Sequence, residues 1–335
     1  MLQNPDSIHV VYASDERFAP VLGVSIASLL ITGKDIPSFD IMVFDGGLSS
    51  DNRQKIDDLC RQFGRNPPEY LCLDDMEDLL GDRIGLDRGS IMQYARLFIG
   101  RLPYERVLYL DCDVMLRRSV SALWDVDLRG KTLAAMPDVF SRLYRKGMGL
   151  SPEEPVYNDG VMLIDLKKWR EHNVEQKALD YIHCCSTGPL QDDLGVMNAV
   201  LSCETLALSP EWNSLTAFYD FTYDEMLYYR KPPAYFSKEE ISRAVSNPAL
   251  VHFTSSFRSV RPWEAGCTHP YAKEYAALRA LTPWADLPLR QPRKGLTSRM
   301  VNALPWRLAI HIAAPLQAYG RPLLYLVRER VHKFG

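Results

Sequence analysis

The chain has 335 residues, a formal net charge of −3, 47% hydrophobic residues and 24% charged residues, a globular composition long enough for one large domain or two small ones. A chain of this length buries a core without disulfides. Its seven cysteines are odd in number, scattered and without a Cys-x-x-Cys pair, which argues against a zinc ribbon or disulfide scaffold and for reduced thiols in a cytoplasmic protein.

At the N-terminus no basic region precedes an apolar run, so no signal peptide is expected. "IHVVYAS" (8–14) reads as a buried strand, and "FAPVLGVSIASLLITG" (18–33) has helical spacing closed by Gly33. "FDIMVFDGG" is a second strand ending in a glycine turn. "SSDNRQKIDDLCRQFG" is an exposed helix with a serine cap and a terminal glycine. "PEYLCL" predicts a third strand, and "SIMQYARLFIGRLP" a helix that Pro103 ends. Next come the strand "RVLYL", then "KTLAAMPD" and "GVMLIDL" as strands, with "LKKWREHNVEQKALDYIHCC" and "DDLGVMNAVL" as helices. Residues 216–248 show no clean period and read as a variable loop with a short helix at "SKEEISRAV"; "ALVHF" is a late strand. No internal repeat or low-complexity tract is seen. Alternating strands and helices imply an α/β fold with a mostly parallel, Rossmann-like sheet covered on both faces. Ligands bind such sheets beyond the carboxyl ends of the strands.

"RQPRKG" (290–295) reads as a linker between a body (1–285) and a tail (286–335). The tail holds nine Lys/Arg against two acids, so the body carries the acidic excess. Met300, Leu304, Leu308, Ile312 and Leu316 recur every fourth residue, flanked by Arg299 and Arg307; Leu323, Val327 and Val331 form a second stripe among Arg321, Arg328, Arg330 and Lys333. Pro305 and Pro315 predict two or three short helices rather than one. The pattern fits either a helix packed on the body or, as the clustered basic charge favours, an amphipathic helix on an anionic lipid surface. No stretch of about 18 apolar residues predicts a membrane span, and no nucleic-acid partner is expected.

The chemistry starts at "RVLYLDCDVML" (106–116). Four buried β-formers run into Asp111 and Asp113, with Cys112 between them. Strand alternation would point both aspartates to one side. Two carboxylates so close repel unless water solvates both or a cation sits between them. A single aspartate there would be an ordinary turn former; two favour a divalent cation, and hard oxygen ligands select Mg²⁺ or Mn²⁺.

Several separated motifs in order over residues 8–280 resemble the retaining glycosyltransferase family eight, of GT-A fold, which includes glycogenin and bacterial lipopolysaccharide galactosyl- and glucosyltransferases. "VLYLDCDVML" resembles its Asp-x-Asp strand. "YASDERF" resembles the family's first-strand end, implying Ala13 and Asp15 on uracil and ribose and Phe18 stacked on the base; Asp15 can also cap the following helix. "QYARLF" resembles the family's Tyr-x-Arg, implying that Arg96 bridges phosphates and donor sugar. "YNDGVMLIDL" implies Asn158 on the donor sugar, with Gly160 in a tight turn at positive φ. "DDLGVMN" resembles Asp-Gln-x-x-x-Asn: aligned on Asn198 it makes Asp193 the acid beside the anomeric carbon, and shifted by one it makes this Asp192. Leu194 stands where the family has Gln, and with Met197 and Leu201 it forms a core-like stripe. "VHFTSSFRSVRPWEAG" resembles His-Phe-x-Gly…Lys-Pro-Trp, implying His252 as third metal ligand and Arg261, with Arg258 as rival, on the diphosphate.

The resemblance thus implies Mn²⁺ or Mg²⁺, a UDP-hexose donor, a saccharide or glycolipid acceptor, and transfer with retention. A sugar nucleotidyltransferase would need a Gly-rich basic phosphate loop after the first strand, and "ASDERFAPVLG" has none. The remaining alternative is a non-catalytic sugar-nucleotide-binding protein, because a site with Leu194 can bind without turnover.

Overall fold

The apolar run that begins at Ser7 becomes an inner strand of a seven-stranded sheet. The computed structural model describes residues 7–82, 84, 90–292 and 303–334. Its strands are β1 (Ser7–Asp15), β2 (Ser38–Gly46), β3 (Glu69–Leu71), β4 (Arg106–Leu110), β5 (Val114–Leu116), β6 (Leu133–Pro137), β7 (Tyr157–Asp165), β8 (Thr205–Ala207), β9 (Ser214–Leu215) and β10 (Leu250–His252). The large sheet has the order β3-β2-β1-β4-β7-β6-β8. All its pairs are parallel except those of β7, which runs against β4 and β6. A second sheet, β5-β10-β9, was not foreseen.

Alternation along β1 sends Val10 and Tyr12 to one core and Val11 to the other. The first core takes helix Ala19–Thr32 and Ile56 and Leu59 of helix Ser50–Gln62; the second takes residues 91–101 and the helices between 166 and 201. Both faces are therefore covered, as the alternation of elements predicts. Because β7 is antiparallel, its first residues lie at the same rim as the last residues of β1 and β4, with Leu110 opposite Val161. That rim is where the site forms.

The segment Ile91–Arg101 is helical as expected, but it is a 3-10 helix. Its three-residue period fits a sequence buried nearly all round, from Met92 through Ile99. Gly100 lets it approach Trp169, since a methyl there would lie 2.6 Å from Trp169 Cδ1. The long helix expected over 166–185 is two, Leu166–Glu171 and Val174–Cys184, broken at Asn173, which has φ of 51°. Residues 216–248 are not mainly loop. They hold helices Ala217–Asp220, Tyr223–Arg230 and Lys238–Ser246, the last two started by capping boxes at Thr222/Glu225 and Ser237/Glu240.

The tail is one nearly continuous helical rod. Helix Trp306–Pro315 passes through a π-helical turn, Leu316–Gly320, into helix Arg321–Phe334. Pro305 only precedes the rod, and the wider π turn follows Pro315 in place of a break. One face packs on the body through Ala309, Ile310, Ala314 and Ala318, and Ser141 Oγ donates to the Ala318 carbonyl at 2.5 Å. Buried Glu329 accepts from the Thr187 amide and hydroxyl, both at 2.6 Å. The opposite face leaves Leu308, Ile312, Leu316, Leu323, Val327 and Val331 exposed. No helix among the described residues is long and apolar enough to cross a membrane. The end of the expected linker (293–295), Arg299 and Met300 lie outside the described residues.

Candidate active site

Asp111 and Asp113 do not sit on a strand. They occupy the turn between β4 and β5, which belong to different sheets, so alternation is not what brings them together. The Asp111 amide donates to the Gly160 carbonyl at 2.8 Å, and the Phe253 amide donates to the Asp113 carbonyl at 3.0 Å. β10, paired with β5, then delivers His252 beside both carboxylates. One ligand atom from each of Asp111, Asp113 and His252 lies within 4.8 Å of the others.

The imidazole is aimed. Its Nδ1 lies 2.9 Å from Asn213 Oδ1, while Asn213 Nδ2 donates to Asn158 Oδ1 at 2.8 Å, so the Asn213 oxygen accepts and the Nδ1 proton is fixed. Asn158 Nδ2 in turn donates to Asp138 at 2.9 Å. Nε2 is left facing Asp113 at 3.1 Å and Asp111 at 3.8 Å. Burial opposes a charge on His252, but Asp113 and Asp111 outweigh it and raise its pKa. Burial likewise opposes a charge on Asp113, yet His252 and Arg261 hold its carboxyl below the ordinary range. Two carboxylates and one neutral imidazole nitrogen suit Mn²⁺ or Mg²⁺, which would take the place of the proton on Nε2. Gly160 lies in the middle of β7 rather than in a positive-φ turn. What requires glycine is space: a methyl would overlap the His252 ring and lie 2.6 Å from Asp111 Oδ2.

A second cluster adjoins the first. Arg96, 4% exposed, reaches three carboxylates: Asp111 at 2.7 Å, Asp159 at 3.0 Å and Asp193 at 3.1 Å. It also donates to the backbone carbonyls of Asp159 and Gln93. Its donors are thus committed to protein groups, which makes it a positioning residue for the acids around it. One guanidinium cannot neutralise three anions. Burial first, and then the neighbouring acids, push Asp159 up and Asp193 well up from the usual carboxylate range.

These residues line a cavity of about 460 Å³, within the range of small-molecule sites. Ala13, Asp15, Phe18, Cys112, Asn158, Asp193, Leu194 and Arg261 line it with the three metal-ligand candidates and Arg96. Asp15 also bonds the Phe18 amide at 3.0 Å, and the Cys112 thiol donates to the Ala13 carbonyl. Arg261 Nη1 lies 2.5 Å from Asp113. Arg258 does not line the cavity; its guanidinium lies 4.4 Å from the Trp306 ring in the tail. Asp192 does not line it either, so of the two registers the structure brings Asp193 to the cavity. Leu194 is not part of a stripe with Met197 and Leu201: it packs against a small separate cluster that includes Tyr144 and Leu190, while they join the second core.

Sequence reasoning missed Asp159 and Asn213. Asp159 was readable, because in "YNDG" two adjacent polar residues open a strand and must face opposite sides; Asn158 goes to His252 and Asp159 to Arg96. Asn213 carries no sequence signal.

The model of the family "Glycosyl transferase family 8" matches residues 9–267. The chain belongs to this family of glycosyltransferases, and its mixed, mostly parallel sheet is the GT-A fold. It is 27% identical over 289 residues to general stress protein A of Bacillus subtilis strain 168, covering 84% of this chain and 96% of that one. It is 27% identical over 292 residues to lipopolysaccharide 1,2-glucosyltransferase of Escherichia coli K12, covering 85% and 81%. Among solved structures it resembles the galactosyltransferase LgtC in complex with donor and acceptor sugar analogues, with a TM-score of 0.70, 25% identity, and coverage of 82% of this chain and 96% of that one.

The Arg96 cluster yields a stability prediction. Arg96→Met leaves the buried carboxylates of Asp159 and Asp193 without their cation and should cost about 3–5 kcal/mol. The folded-state pKa values of Asp159 and Asp193 then rise further above the unfolded value. Stability is kept at low pH and lost as the pH rises through the raised values, so the deficit against wild type grows with pH. Urea melts at pH 5 and pH 8 measure this; an equal deficit at both contradicts it.

Proposed function

We propose that the chain is a metal-dependent, retaining hexosyltransferase that moves glucose or galactose from a UDP-sugar to a glycan or glycolipid acceptor, a lipopolysaccharide or another cell-surface saccharide. The observation that carries this reading is the convergence of Asp111, Asp113 and His252 in the wall of the 460 Å³ cavity in a family 8 chain. The relatives support a hexose, and their names divide between glucosyl and galactosyl transfer.

Asp111, Asp113 and His252 would hold Mn²⁺ or Mg²⁺, which supplies charge neutralisation for the departing diphosphate. Arg261 adds a fixed positive charge beside Asp113 for the same oxygens. Ala13, Asp15 and Phe18, at the end of β1, offer a polar and aromatic seat for uridine. As the C1–O bond of the donor breaks, positive charge grows at C1, and Asp193 stabilises it. Arg96 keeps Asp193 in place and tempers its charge. Leu194 offers no nucleophile or polar contact on the far side of C1. The acceptor hydroxyl therefore enters on the side the phosphate leaves, and the departing phosphate oxygen takes its proton, which retains configuration.

The body-and-tail division gives the tail a job of its own. Its outer apolar face, 39–64% exposed from Leu308 to Val331 and flanked by exposed Arg307, Arg328 and Arg330, suits an anionic lipid surface. That would hold the enzyme peripherally at the cytoplasmic face of the membrane, beside a lipid-linked acceptor.

Three measurements follow from this reading. UDP release from UDP-glucose or UDP-galactose should require Mn²⁺ or Mg²⁺, and Asp113→Ala should lower it on the order of 10³-fold; activity indifferent to that change removes the metal assignment, and binding of UDP-sugars with no turnover favours the non-catalytic alternative. Product from Leu194→Gln should keep the wild-type anomeric configuration by NMR; an inverted product, or a sugar–enzyme adduct trapped on wild type, contradicts the same-side route. Sedimentation with phosphatidylglycerol vesicles should fall about tenfold when Leu323 and Val327 are both changed to Glu; unchanged sedimentation rejects the lipid reading of the tail.

A further inference from the structure

A second cavity, of about 480 Å³, adjoins the first, and Ser255 lines both. Its other walls come from three separate places. Gln191 stands two residues before Asp193; Tyr229 and Arg230 end helix Tyr223–Arg230; Gln317 and Arg321 belong to the tail. The tail rod therefore completes a chamber at the edge of the donor cavity.

The chamber's charge is one-sided. Arg230 and Arg321 both line it, and no described carboxylate lies within 4.0 Å of either guanidinium. The Nε of Arg230 is buried and makes no hydrogen bond among the described residues. Its guanidinium carbon lies 5.3 Å from the Tyr229 ring and 5.8 Å from the Phe140 ring, held by aromatic faces rather than by an acid. Burial raises the pKa values of Tyr144 and Tyr229, and both arginines oppose that rise, so the two guanidiniums surround the same phenols. Elsewhere in the chain the buried guanidinium near the reacting centre, Arg96, is paired with three acids. Two like charges lining one concave surface without an acidic partner create a site for an anion, and arginine suits planar or tetrahedral oxyanions.

We propose that this chamber is the acceptor site, and that Arg230 and Arg321 select a saccharide bearing a phosphate or carboxylate. This rests on the UDP-sugar transferase reading above. The accepting hydroxyl lies toward Ser255 and Asp193, and the acidic group of the same or a neighbouring sugar lies between the guanidiniums. The tail then has a second role, as a wall of the acceptor site. The other owner these arginines could have is the donor's diphosphate, and the test separates the two.

Full-length protein saturated with UDP and Mn²⁺ is titrated by calorimetry with glucose 6-phosphate, glucuronic acid and glucose. At least one acidic sugar should bind about tenfold or more tightly than glucose, and the preference should shrink with salt. Arg230→Gln and Arg321→Gln should each remove it, whereas Arg243→Gln, an exposed arginine on helix Lys238–Ser246, should not. The phosphate and carboxylate arms distinguish the two sources of the charge. Equal affinity for all three sugars, or binding of none, overturns the proposal. So does a matching loss of UDP affinity in the arginine variants, which would assign them to the diphosphate, or loss of vesicle binding alone, which would assign them to lipid. The readout is binding, so failure of UDP-sugar turnover would count against the transferase reading and leave this test intact.

Discussion

The site depends on one buried guanidinium. Arg96 projects from the 3-10 helix Ile91–Arg101 and ties together the end of β4 through Asp111, the start of β7 through Asp159, and helix Asp192–Leu201 through Asp193. Buried charges are costly unless paired, so these four groups constrain one another's positions. The pairing is incomplete in number, since three acids face one cation. In the proposed transfer, the charge left over would stand beside the carbon that becomes oxocarbenium-like.

The other half of the site is held by a chain of hydrogen bonds. Asp138, Asn158 and Asn213 form a relay that ends on His252 Nδ1 and points Nε2 at Asp113. Neighbouring residues of β7 serve the two halves, Asn158 the imidazole and Asp159 the guanidinium. The start of one antiparallel strand thus sets the spacing between the candidate metal ligands and the acids around Arg96. Gly160, between them and the His252 ring, leaves the room that both need.

Much of this was legible in the sequence, for physical reasons. Strands such as "IHVVYAS" and "RVLYL" are buried apolar runs with clear ends, and their order with the helices indicates a covered parallel sheet. Asp111, Asp113 and His252 were readable from the motifs. The reversal of β7 was not, because a doubly buried strand looks the same in either direction. The turn between β4 and β5 was read as strand because "DCDVML" continues a β-rich run. The helix at "SKEEISRAV" was legible, whereas Ala217–Asp220 and Tyr223–Arg230 were hidden by shortness and weak amphipathicity, although the capping box "TYDE" marks the start of the second. The π turn after Pro315 and the partnership of Arg96 with three acids arise from tertiary packing, which no local pattern encodes.

The central claim is that two carboxylates and one imidazole grip a divalent cation that shares the donor's diphosphate. Anomalous diffraction from crystals grown with Mn²⁺ and UDP tests it most directly. The account predicts one strong peak among Asp111, Asp113 and His252, in contact with both phosphates of UDP. A peak elsewhere, or UDP bound in the cavity with no ion among these three residues at saturating Mn²⁺, would contradict it.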